Sequence, residues 1–213
     1  MTTISSAPRP PGEAVRQAAL HASGVLLMRG NQRLRAIVDR VAALLDVPIA
    51  AVSIVDRDRQ WFPVIHGLDV EETSRDVAFC AHTIMTPGQI MVVPDALGDP
   101  RFAENALVTG DPLIRFYAGA PLVTKDGAAL GSLCAIDRQP HATFSPERER
   151  ALRALADEAM VEIEKIENIR NAGPDAILAI VEQIREAAEA GDEALLNELD
   201  HILQKVESVI REM

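Results

Sequence analysis

Aromatic side chains make up only 3% of this 213-residue chain: one Trp, one Tyr and five Phe. The core must therefore be built from Leu, Ile, Val and Ala, and a hydrophobic content of 48% is enough to build one. Cysteine is nearly as scarce. Cys80 and Cys134 are the only two, too few for a disulfide framework, so the expected compartment is cytoplasmic. Positive charge is short as well: 21 Lys and Arg face 32 Asp and Glu, a formal net charge of −11. Phosphate recognition needs Lys and Arg, so no nucleic-acid partner is expected. An anionic membrane surface is disfavoured for the same reason. No apolar run nears the ~20 residues that cross a bilayer. The opening "MTTISSAPRPPGEAV" lacks the charged start and apolar stretch of a signal peptide, and residues 1–16 are expected to be a disordered lead. The five histidines show no Cys-x-x-Cys or His-x-x-x-His spacing, so no metal site is expected.

What is present is ordered into recognisable segments. "NQRLRAIVDRVAALLDV" carries Leu34, Ile37, Val38, Val41, Leu44 and Leu45 at helical spacing. "IAAVSIVD" and "WFPVIHG", separated by a polar turn, predict a β-hairpin. "IMVVPDA" predicts a short strand, followed by a long connection with two Asp-Pro turns. "RFYAGAPLVT" and "AALGSLCAID" flank Asp126-Gly127, a strong hairpin signal, and their Ala and Gly content invites close packing on the sheet. Ser145 then caps a long helix with Pro146 in its first turn, stopped at Gly173-Pro174. Beyond it, residues 174–213 hold ten acids against three bases and two amphipathic stretches, an acidic helical hairpin. This order predicts an α+β fold, an antiparallel sheet with helices gathered at its ends.

Four motifs in order carry a family resemblance: "RDVAFCAHTI", Asp99-Pro-Arg-Phe followed by Asn105, the run from Arg115 to Leu122, and Gly131 to Asp137 with its Leu-Cys. Over roughly residues 30–165 the chain resembles a bacterial GAF domain. The resemblance implies a GAF-like sensory domain over residues 17–170, with a central antiparallel sheet of about six strands and a pocket on one face. It also implies a sensory or regulatory role, with the signal passed along flanking helices. Fold alone names no ligand.

The residues expected to line that pocket are Phe79, Cys80, Phe102, Leu107, Arg115, Tyr117, Ala120 and Cys134, each equally able to serve as ordinary core. Cys80 sits at a helix start, where a thiol can turn acidic, yet its neighbours Phe79, Ile84 and Met85 suit a buried structural cysteine. His82, two positions on, points about 200° away on a helix and cannot easily share a metal with it. Bilin-carrying relatives follow the attachment cysteine with His, whereas Ala81 and Ala135 follow the two here. The cyclic-nucleotide signature of the family is not found. Arg115 either anchors an anionic ligand or pairs with Asp76, Asp95 or Asp99, and Arg75, Asp76 and Asp99 read as structural locks. Trp61 and Phe62 either cover the backing helices or mark a dimer face.

No Ser/His/Asp order, phosphate-cradling loop or paired carboxylates stand out, so the chain is not expected to be an enzyme. The expected function is a cytosolic sensing module that binds an unidentified small molecule and relays to a partner protein, with a homodimer through the flanking helices. A dimerisation adaptor without a ligand is the alternative, and a free methionine-(R)-sulfoxide reductase-like enzyme using Cys80 and Cys134 a further one. The sequence names no cofactor. His201 in the tail reads as a surface histidine rather than a phospho-acceptor.

Overall fold

A computed structural model of the chain describes residues 7–171. The acidic hairpin expected at 174–213, His201 included, lies outside the described residues. Residues Met1–Glu164 form one compact unit; a second begins at Lys165, and of it only the end of the last helix is described.

The elements run α1 (Glu13–Ser23), α2 (Gln32–Leu45), β1 (Ile49–Val55), β2 (Arg59–His66), β3 (Glu72–Ser74), α3 (Phe79–Thr83), β4 (Met91–Val93), α4 (Ala106–Thr109), β5 (Phe116–Val123), β6 (Ala129–Asp137) and α5 (Pro146–Asn171). The six strands form one antiparallel sheet in the order β3-β2-β1-β6-β5-β4. The α+β fold and the strand count match the sequence-based expectation. Asp126-Gly127 turns β5 into β6, with Gly127 at φ +85° and Thr124 N–H bonded to Ala128 O at 2.9 Å.

Alternation along the strands sorts side chains to two faces. One face is covered by α2 and α5. The Asn31 side chain caps α2 by accepting from the Arg33 and Leu34 N–H groups. From that helix Leu34, Ile37, Val38, Val41 and Leu45 are all buried. Leu152, Leu155, Ala156, Ala159 and Ile163 of α5 are buried likewise, and α5 begins where Ser145 Oγ accepts the Arg148 N–H. Arg40 and Glu158 pair at 2.7 Å between the two helices. The other face carries α3 and the loop holding α4, and the cavity described below lies there.

Of the lead expected to be disordered, residues 7–16 are placed in the fold. Glu13 to Arg16 form the first turn of α1, and Ala7 is buried. Charge anchors this end: Glu13 accepts from Arg16 at 2.8 and 2.9 Å and from Arg75 at 2.5 Å. Arg16 also donates to Val55 O and Ala129 O, the ends of two central strands. Arg75 is fully buried and reaches the Asp56 carbonyl at 3.0 Å. Its carboxylate partner is Glu13 of α1, which makes Arg75 the structural lock expected of it.

Burial would raise the Glu13 pKa, but the hydrogen bonds from Arg16, Arg75 and Gln17 outweigh it and hold the carboxyl well below the usual carboxylate range. The folded-state pKa is depressed, so the stability this group contributes is present above its unfolded value of about 4.3 and is lost as pH falls below it. Urea unfolding at a series of pH values checks this. The stability gap between the wild type and Glu13→Gln is expected to be full at pH 6 and to shrink as acid is added below about pH 4. A gap that stays constant into acid would show that the Glu13 carboxylate does not anchor this end.

Candidate functional site

β2 departs from simple alternation, and that departure shapes the site. Val52 pairs with Val64 but Ile54 pairs with Trp61, so Phe62 and Pro63 together oppose Ser53. This is a β-bulge. It turns Gln60, Phe62 and Ile65 to one face, although the last two are an odd number of residues apart. With Ala51 of β1, Tyr117 of β5 and Ile136 of β6 they form the sheet side of a cavity of about 230 Å³. Phe79 and Cys80 from α3 and Leu107 from α4 face them. Leu68, Asp69, Val70 and Thr73, leading into β3, form one rim; Asp111, Pro112 and Ile114, leading into β5, form the other.

The loop between β4 and β5 is held in place locally. Asn105 caps α4 through the Leu107 N–H and donates its amide to Val77 O at 3.1 Å, just before α3. Phe102 stacks on Phe79 with ring centroids 4.0 Å apart, and Arg101 lies over Phe102 while pairing with Asp99 at 2.6 Å. Asp99 sits below its ordinary pKa chiefly because of that pair.

The walls are apolar, but the floor is not. Gln60 Nε2 donates to Ser53 Oγ at 2.6 Å and to Cys80 Sγ at 3.0 Å, and its Oε1 accepts from Thr73 at 3.1 Å. The Tyr117 hydroxyl lies 2.8 Å from Thr83 Oγ1, 3.2 Å from Ser132 Oγ and 3.3 Å from Cys80 Sγ. Ser53 and Ser132 are cross-strand partners on β1 and β6. Buried hydroxyls and amides are costly unless paired, and these are paired with one another. Cys134 Sγ donates to Ala51 O at 3.6 Å. The two thiols are pushed apart. Burial raises the Cys80 pKa, but hydrogen bonds from Cys134, Ser132, Ser53 and Tyr117 bring it down to about 6. Cys134 is raised by its hydrogen bond to Cys80 and by burial, and Tyr117 by burial and the neighbouring thiols.

Four of the eight expected pocket residues line the cavity: Phe79, Cys80, Leu107 and Tyr117. The other four need correction. Phe102 lies behind Phe79, as its stacking partner. Ala120 is an odd number of positions from Tyr117 on β5, so alternation turns it to the helix-covered face. Cys134 is not a wall residue but sits below the floor, against Ala51 O. Arg115 neither enters the cavity nor pairs with Asp76, Asp95 or Asp99: its guanidinium donates to Val108 O and Ile114 O at 2.9 Å, closing the loop.

His82 packs edge-on against Phe102 at 4.8 Å, and burial and Arg101 lower its pKa. Phe62 forms cavity wall rather than covering the backing helices, while Trp61 is buried on the opposite side of β2. Among the described residues, no group of three or more His, Cys, Asp or Glu is placed to hold a metal, and no helix is long and apolar enough to cross a membrane. Ser53 two residues from Ala51, and Ser132 two from Cys134, share the cavity face of their strands, and that was the available sign of a polar floor.

The GAF domain family model matches residues 30–163. A cyclic di-GMP phosphodiesterase of Pseudomonas aeruginosa is 40% identical over 168 residues, covering 79% of this chain. The chain spans only 28% of that relative's length. The GAF domain of an Acinetobacter phosphoenolpyruvate-protein phosphotransferase superimposes with a TM-score of 0.52 at 18% identity, over 74% of this chain and 98% of that one. The GAF domain of Thermosynechococcus elongatus PixJ, in its blue-light absorbing form, gives 0.54 at 15% identity, over 74% and 90%. At those identities the likeness is one of fold. With the six-stranded sheet and the family match over most of the compact unit, the chain belongs to the GAF domain family.

Proposed function

We propose that this chain is a sensing module whose ligand is a small organic molecule with an apolar body and a donor-bearing or cationic end. GAF domains are small-molecule sensing modules of signalling proteins, and the composition of this cavity narrows the class. One observation carries the reading: about 230 Å³ of apolar-walled space has a hydrogen-bonding floor and two carboxylates, Asp69 and Asp111, at its rim, with no Lys or Arg in its lining. Drug-sized ligands occupy roughly 300–1,000 Å³, so the occupant is smaller than that. Phosphate groups are recognised through cationic or clustered N–H donors, and Asp69 and Asp111 would repel them.

Cyclic di-GMP, named in the Pseudomonas relative, therefore enters this reading at the output and not as the ligand. Occupancy of the cavity biases the packing of α3 and its loop against the sheet, and α2 and α5 on the far face carry the difference to a partner protein or a second copy. The module itself performs no catalysis.

Calorimetry of the whole chain against small aromatic amines, neutral heterocycles and cyclic di-GMP tests the assignment. An amine or heterocycle is expected to bind and raise Tm, and Ile65→Trp, which fills the cavity, is expected to abolish both effects. Binding of cyclic di-GMP that Ile65→Trp removes would overturn the assignment.

A further inference from the structure

We propose that the cavity floor is an oxidation site, in which Cys80 reacts with a hydroperoxide and Cys134 resolves the product to an intramolecular disulfide. Buried free cysteines ordinarily sit among apolar groups and behave as small hydrophobes. Cys80 does not. Its sulfur receives an amide N–H from Gln60 at 3.0 Å and the phenol of Tyr117 at 3.3 Å. Donors aimed at sulfur favour the thiolate, the reactive form. Cys80 also forms part of the cavity wall, so a reagent little larger than water has a route to a residue otherwise 1% exposed.

The second thiol, Cys134 on β6, lies in the same buried cluster as Cys80, with its Sγ on the carbonyl of the cavity-lining Ala51, and stays protonated while Cys80 turns acidic. That division supplies one nucleophile for the peroxide and one S–H for the second step.

The steps balance. The Cys80 thiolate attacks one oxygen of ROOH; an S–O bond forms, the O–O bond breaks, and RO⁻ takes a proton from water and leaves as ROH. Cys80 is now a sulfenic acid, its sulfur oxidised by two electrons. The Cys134 sulfur attacks that sulfur; the S–S bond forms, the S–O bond breaks, and hydroxide leaves as water with the Cys134 proton. Two thiols and one hydroperoxide give one disulfide, one alcohol and one water.

Hydrogen peroxide added to the reduced full-length chain is the test, followed by intact mass, dimedone trapping and thiol counting after denaturation. The wild type is expected to lose both thiols and about 2 Da, as a monomeric species on a non-reducing gel. Its rate should rise with pH around 6, below the usual cysteine value near 8.5. Cys134→Ser should stop at a dimedone adduct on Cys80, and Cys80→Ser should leave Cys134 unreacted. Tyr117→Phe keeps the ring and removes one donor; it should slow the reaction at pH 7 several-fold and move the profile upward. A folded wild type that reacts no faster than glutathione, or that is trapped first at Cys134, overturns the proposal. Disulfides found only between chains would overturn the resolving role.

Discussion

Gly131→Ala is expected to destabilise the fold by more than about 4 kcal/mol, at the extreme of single substitutions. A Cβ built at this position stands 1.9 Å from Ser53 O and 2.8 Å from Ile54 Cα. Both are backbone atoms of β1, which can yield only if the strand moves. Gly131 lies opposite Ile54 on one side and Leu122 on the other, so any shift of β6 is felt by both central neighbours. Most overpacked sites relax by turning a side chain and lose about 1–3 kcal/mol; here no side chain is available to turn. Urea unfolding against the wild type measures the loss. A soluble variant within about 1 kcal/mol of the parent would show that the β1–β6 contact is looser than described.

Gly119→Ala should also be strongly damaging, and its effect should be felt mainly in the cavity floor. The Tyr117 ring lies over Gly119, and an added methyl would sit 2.1 Å from the Tyr117 hydroxyl and 2.6 Å from Cζ. Here the obstructing group is a side chain, which normally makes relief cheap. This one is fully buried and held by Thr83, Ser132 and Cys80, so leaving its place strands three polar partners. A loss of about 2–4 kcal/mol is expected, with altered near-ultraviolet dichroism from the chain's only tyrosine. Cys80 should lose its acidity in the same variant, because one of its donors has moved. An unchanged tyrosine signal would mean the ring can be accommodated elsewhere.

The sheet and its two backing helices were legible because their signals are local and periodic. Leu34 to Leu45 declares a buried helical stripe, and Asp126-Gly127 declares a turn, without reference to anything distant. The cavity was only half legible. Phe79, Cys80, Leu107 and Tyr117 could be placed, but Ala120 was put on the wrong face although the parity of β5 was readable. The Phe62–Pro63 bulge was hidden, since it depends on which residue of β1 stands opposite, and with it went Gln60, Phe62 and Ile65. β3 is three residues long and polar, too short to show a period. α1 was obscured by a Pro-rich opening; its anchorage comes from Glu13 meeting Arg75, 62 residues away in sequence. Arg115 was misassigned because carbonyl oxygens, which every residue carries, leave no mark in a sequence.

Trp61 stands between Gln60 and Phe62 with its indole turned away from the cavity, and it is the only tryptophan in the chain. The molecule thus carries a built-in optical probe on the strand that contributes three residues to the cavity. An occupant cannot quench that fluorophore by touching it. Any change in its emission on adding a compound or an oxidant would report displacement of the strand itself, separating mechanical transmission from mere occupancy without a label.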